Sequence, residues 1–119
     1  MNYEDRVTKA AVEAAIEGSI VCGTYTGNNT ENRFIDLGFT PRAVFIMNNT
    51  GTTYTTMNTA NVNYYFGGLV LPGSPLMENS RVNAEIVDGG FTVTYLRPNE
   101  YFVDATNISG FIYHYIAFK

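Results

Sequence analysis

A chain of 119 residues and 13.2 kDa has the length of one domain and buries enough surface to support its own core. A net charge of −4, with the basic residues scattered, excludes the clustered Lys and Arg that phosphate backbones require, so no nucleic-acid partner is expected. The single cysteine, Cys22, excludes an internal disulfide and a Cys-rich metal site, and no apolar run approaches the roughly 20 residues of a membrane span.

Charged residues make up only 15% of the chain, so its polar surface must be built mainly from Asn, Thr, Ser and Tyr. Such a surface suits contacts between subunits or neutral ligands better than ionic ones. The N-terminus is charged rather than signal-like, and the chain is expected to be soluble and made in a cytoplasm.

The first element expected is a helix over Asn2–Gly18, capped by Asn2, rich in alanine and ended by Gly18. Val7, Ala10, Ala11 and Ala14 form a small-residue stripe, widened by Val12 and Ile16. A stripe of alanines buries little, and a lone helix of this length is marginal in water, so the helix must pack. It either lies on its own β region or bundles with copies of itself, which makes these residues the expected oligomer contact. Residues 1–18 are read as a connector and 19–119 as the folded module.

Strand signals then recur about every ten residues with turn chemistry between them, the pattern of a sandwich or barrel. The first strand runs from Ser19 to the turn at Gly27-Asn28-Asn29, the second from Arg33 to Leu37, and the third from Arg42 to Met47 beyond Pro41. Asn48–Gly51 is a turn, Thr52–Met57 an edge strand or loop, and Asn58–Asn63 a polar connection. Tyr64–Leu71 is apolar and broken by Gly67-Gly68, which predicts a bulge or a close backbone approach. Arg81–Val87 alternates, with Val82, Ala84 and Ile86 opposite Arg81, Asn83 and Glu85, and Asp88-Gly89-Gly90 turns it into a strand from Phe91 to Tyr95. Both faces of Phe111–Phe118 are apolar, which places this strand centrally in a sheet. The expected fold is mainly β: a short N-terminal helix followed by an antiparallel β-sandwich of about eight strands.

No constellation of catalytic residues stands out. His114, the sole histidine, sits in a strand, and Cys22 has no local base or cation, so Cys22 is read as a small buried hydrophobe and His114 as a packed or rim residue. Asp36, Glu85, Asp88, Glu100 and Asp104 are the acids that a glycoside hydrolase could use, but turn, strand and loop positions account for each of them. No pair of His or Cys has ligand spacing and no calcium loop is present, so neither metal nor cofactor is expected. Tyr54, Tyr64, Tyr65, Tyr95, Tyr101 and Tyr113 could stack on sugar rings beside loop amides. Tyr54, Tyr64 and Tyr101, with Asn49 and Asn58, are the expected ligand-binding residues; a core or subunit interface is the competing place for such tyrosines. The triplets Asn28-Asn29-Thr30, Asn48-Asn49-Thr50 and Asn107-Ile108-Ser109 read as turns rather than glycan acceptors.

Three segments carry a family resemblance. They are Gly23–Asn28 followed by Phe34–Ile46, which holds Leu37-Gly38-Phe39-Thr40-Pro41; Glu85–Val93, which holds Gly89-Gly90-Phe91; and Asn107–Phe118 with its closing Tyr115-Ile116-Ala117-Phe118. In this order they resemble a β-sandwich module of phage and prophage tail-fibre or baseplate-associated proteins. Asn48–Glu78 lies outside the likeness and is where a variable binding surface would sit. The resemblance implies a virion structural protein made in the host cytoplasm, commonly trimeric and partnered by other virion proteins. It further implies a receptor-binding role, with no catalytic residue to carry over. A carbohydrate-binding module is the alternative expectation and a glycosidase-like enzyme the third.

Overall fold

The computed structural model describes residues 18–57 and 61–119. Apart from Gly18, the helix expected over Asn2–Gly18, with Val7, Ala10, Ala11 and Ala14, lies outside these residues, and so does Asn58.

Twelve strands follow in chain order: β1 Ile20–Thr26, β2 Arg33–Asp36, β3 Ala43–Asn48, β4 Tyr54–Met57, β5 Val62–Tyr65 and β6 Gly68–Val70, then β7 Leu76–Glu78, β8 Arg81–Val87, β9 Gly90–Val93, β10 Tyr95–Leu96, β11 Phe102–Ala105 and β12 Ile112–Phe118. They form three four-stranded sheets: β1-β12-β3-β6, β2-β9-β8-β7 and β10-β11-β5-β4. The chain is therefore mainly β, as its turn spacing predicts. The count and arrangement differ from a two-sheet antiparallel sandwich of about eight strands: β5 and β11 pair in parallel. The extra strands are short, two to four residues each. β11 contains Asp104, and β5 begins inside what reads as a polar connection.

The first two sheets face each other through aromatic rings. Tyr25 of β1 stacks on Tyr113 of β12 at 5.0 Å, and Phe91 of β9 meets Tyr25 and Tyr115 edge-on at 6.2 and 5.3 Å. Val44, Ile46, Val70, Val93 and Val103 complete a fully buried centre. A buried phenol needs a partner for its hydroxyl. Tyr25 donates to the Thr106 carbonyl at 2.6 Å and Tyr113 to the Ala105 carbonyl, so both tyrosines tie the first sheet to the end of β11. Burial drives both phenol pKa values well above the usual tyrosine range.

Buried polar groups cluster on the same strand end. The Thr106 hydroxyl donates to the Asn83 carbonyl at 2.8 Å and accepts the Thr94 N–H at 2.8 Å, while Asn83 Nδ2 donates to the Tyr65 carbonyl at 3.1 Å. Asn83 reaches this position because β8 slips against β7 between Leu76 and Met77, so Leu76 opposes Ala84 while Met77 opposes Val82. Strict alternation along β8 is thereby broken: Asn83 and Ala84 are both buried, and Val82 is turned outward. Asn107 is fully buried and knits two turns, donating to Asn28 Oδ1 at 2.7 Å and the Thr30 carbonyl at 3.0 Å and accepting Arg33 at 3.1 Å.

The expected turns behave as their residues predict. Gly89 adopts φ +86° in the β8–β9 reversal. A Cβ at Gly67 would lie 2.0 Å from the Ile46 carbonyl oxygen, the close approach anticipated for the paired glycines. β12 is central, between β1 and β3, but only one of its faces is buried. The other face, with Ile112, His114, Ile116 and Phe118, is turned to solvent, and Cys22 beside it is exposed rather than buried.

Candidate ligand-binding face

The third sheet sets out a row of rings. Register opposes Tyr54 of β4 to Tyr65 of β5, and Thr56 to Asn63; across the parallel pair Phe102 opposes Asn63 and Asp104 opposes Tyr65. Residues opposed in this way share a face, because side chains alternate along each strand. Tyr54 and Tyr65 lie 5.1 Å apart between ring centres, and Tyr65 and Phe102 lie 6.4 Å apart. Tyr54 is 50% exposed, and Tyr65 and Phe102 are half-buried.

Polar groups flank the rings at fixed positions. Asn63 Oδ1 accepts from the Tyr54 hydroxyl at 2.7 Å and from Thr56 Oγ1 at 2.9 Å. Asn63 Nδ2 donates to the Tyr101 carbonyl at 3.0 Å, which ties the loop before β11 to β5. Asn99 Oδ1 shapes this loop by accepting the Tyr101 and Phe102 N–H groups at 2.8 and 3.1 Å. At the Tyr65 end of the same face, Arg81 donates to both carboxylate oxygens of the fully buried Asp104, at 2.8 and 3.0 Å. Those bonds hold the guanidinium pKa above its ordinary value. Tyr65 is also pushed above the usual phenol range, first by burial and then by the negative charge of Glu78.

The expected ligand residues divide. Tyr54 belongs to this face, whereas Tyr101, the residue before Phe102, touches it through its backbone carbonyl. Tyr64 does not: it lies on the opposite side of β5, stacks on Phe66 at 5.8 Å and packs against the core. Asn49 sits at the exposed tip of the β3–β4 turn, outside the ring-and-amide cluster. That turn is shaped by its neighbour Asn48, whose Oδ1 accepts the Thr52 N–H at 2.8 Å. Thr56, Asn63 and Phe102 were not singled out by composition or spacing. Alternation shows that Tyr64 and Tyr65 face opposite ways, but which one faces outward depends on pairing with β4 and β11. Tyr95 is half-buried, and Tyr113 is fully buried.

The acids are dispersed. Asp104 is committed to Arg81, and Asp36 accepts the Gly38 N–H at 2.9 Å. Among the described residues no group of three His, Cys, Asp or Glu side chains could hold a metal. Cys22 and His114 lie near one another on the outer face of the first sheet, and no hydrogen bond joins them. The face of the third sheet can therefore stack and hydrogen-bond a neutral, ring-shaped ligand. Comparison with protein families, curated proteins and solved structures finds no match to this chain.

Proposed function

We propose that this chain is a non-enzymatic structural protein of a phage or prophage virion, carried in the tail, that touches a glycan on the host surface. The observation that carries the binding role is the row Tyr54, Tyr65 and Phe102 flanked by Asn63 and Thr56. Sugar rings present apolar C–H faces edged by hydroxyls, and a line of aromatic faces beside fixed amide and hydroxyl groups answers both. The virion setting rests on the three segments that resemble tail-fibre and baseplate modules. Low charge and the small-residue stripe at Val7, Ala10, Ala11 and Ala14 support assembly into a homo-oligomer, as a trimer, beside other virion proteins.

A carbohydrate-binding module outside a virion is the second reading, favoured by the same ring row. The mass in solution separates the two, since the module would be a monomer.

The test is equilibrium binding of the full chain to purified bacterial surface polysaccharides. Tyr54→Ala and Tyr65→Ala each weaken binding about 2- to 12-fold, the range of about 0.5 to 1.5 kcal/mol for an aromatic contact. Saturable binding that neither substitution changes would remove the ligand from this face. No binding to any surface polysaccharide would overturn the receptor role.

A further inference from the structure

Stacking on the ring row accepts any sugar with a flat apolar face, but the polar groups around the rings are more selective. The hydroxyls of Tyr54 and Thr56 lie 2.6 Å apart, and both reach Asn63 Oδ1, at 2.7 and 2.9 Å. Two hydroxyls hold two protons between them and the amide oxygen holds none, so the three contacts use both protons inside the cluster. Asn63 Nδ2 is occupied as well, by the Tyr101 carbonyl at 3.0 Å and the Asn61 carbonyl at 3.4 Å. What this cluster has left for a ligand is oxygen lone pairs.

At the Tyr65 end, charge leads to the same preference. Arg81, 22% exposed, is occupied by Asp104, and the two charges cancel. Glu78 opposes Arg81 across the β7–β8 hairpin, and its carboxylate lies beside the Tyr65 hydroxyl. Among the described residues Glu78 forms no ion pair of its own. Arg97 and Glu100, in the loop that leads to Phe102, carry opposite charges. The row therefore ends with one unbalanced negative charge beside an aromatic ring.

We infer that the glycan bound on this face carries unacetylated amino sugars, with an ammonium group held at Glu78 and donors of the sugar directed at Tyr54 and Thr56. The inference rests on the ring-row reading of the proposed function and narrows its ligand to one class. An ammonium group brings three donors, no acceptor and a positive charge, which answers both the lone pairs and the carboxylate. It is also attracted to the face of a tyrosine ring. A uronate or a phosphate brings acceptors and negative charge, so it meets only groups like itself. N-acetylation replaces the three donors with one, adds an acceptor and removes the charge.

The experiment measures equilibrium binding of the full chain to a glucosamine hexasaccharide and to its fully N-acetylated counterpart. At about pH 6 the amines are protonated, and about 0.15 M salt screens long-range attraction to the net charge of −4. The expected result is about 3- to 10-fold tighter binding of the amine form. Glu78→Gln removes most of that preference. Glu85→Gln, which removes the same charge from an exposed position farther along β8, leaves it intact. Equal binding of the two forms overturns the inference and, where Tyr65→Ala weakens both, leaves the ring-row reading standing. A preference that Glu78→Gln does not reduce reports general attraction between opposite charges and overturns the inference too. Binding of neither hexasaccharide also overturns it, and the surface polysaccharides of the preceding test then decide the ring-row reading by themselves.

Discussion

The outer faces of the first and third sheets both expose large apolar side chains, yet they are built on different terms. On the first, Phe45, Leu69, Ile116 and Phe118 stand beside Cys22, Thr24 and His114, with no Asp, Glu, Lys or Arg at an outward strand position. On the third, Tyr54, Tyr65 and Phe102 stand among hydroxyls and amides, with the Arg81–Asp104 pair at the Tyr65 end. Burying the first removes mainly apolar surface from water and asks little that is directional of the partner. Burying the third covers hydroxyls of Tyr54 and Thr56 that are bonded to Asn63 and keep acceptor capacity for a donor of the ligand. Exposure alone does not distinguish a dry contact from a selective one; the hydrogen bonds around the rings do.

The change with the largest expected effect tests whether the third face depends on its buried ion pair. Asp104→Ala deletes the fully buried carboxylate and leaves the Arg81 guanidinium, 22% exposed, without its partner. Breaking such a pair from one side costs about 3 to 5 kcal/mol, reduced here by the water that reaches Arg81. Urea unfolding of the variant should show a midpoint well below that of the wild type. An unchanged midpoint would mean that the ring row stands without this support.

Strand by strand, the regular parts of the chain were legible and the polar joints were not. β1, β2, β3, β8 and β12 fall within a residue or so of where alternation and turn residues place them, because those signals are local. β11 was invisible because its stability is non-local. Asp104 reads as loop composition until Arg81 of β8 is placed beside it, and Thr106 and Asn107 until Asn83 and Asn28 are. The ring row of the third sheet was half legible for the same reason. Tyr54 could be named from composition, but choosing Tyr65 over Tyr64 required the pairing of β5 with two partners that are distant in sequence. Cys22 failed differently: burial was inferred from residue type, and the sheet face on which it sits is apolar but uncovered.

A smaller effect concerns the tyrosines that join the first sheet to the third. Tyr25 and Tyr113 are buried, and their pKa values are raised, so the folded state holds their protons more tightly than the unfolded chain does. Their contribution is fully present below the unfolded value of about 10 and is lost as pH rises above it. Alkaline titration followed by phenolate absorbance should show two phenols ionising only with loss of the fold. Tyr25→Phe removes the bond to the Thr106 carbonyl, costs about 1 kcal/mol at neutral pH and makes the alkaline transition shallower. Two phenols that titrate freely in the folded protein would place this junction in water.

The smallest change separates the two sides of β5. Tyr64 stacks on Phe66 against the core, and Tyr65 lies between Tyr54 and Phe102 on the outside. Both are half-buried, so exposure predicts similar consequences for the two, whereas the faces predict opposite ones. Tyr64→Leu should lower stability by about 1 kcal/mol and leave polysaccharide binding unchanged, since leucine keeps much of the apolar contact but loses the ring stack. Tyr65→Leu should keep nearly all the stability and lose the aromatic part of the binding, because its ring is flanked by rings that remain. Measuring both quantities on both variants crosses the two effects. If stability and binding fall together in either variant, β5 does not divide core from ligand, and the contrast between a dry face and a selective one has to be redrawn around other residues.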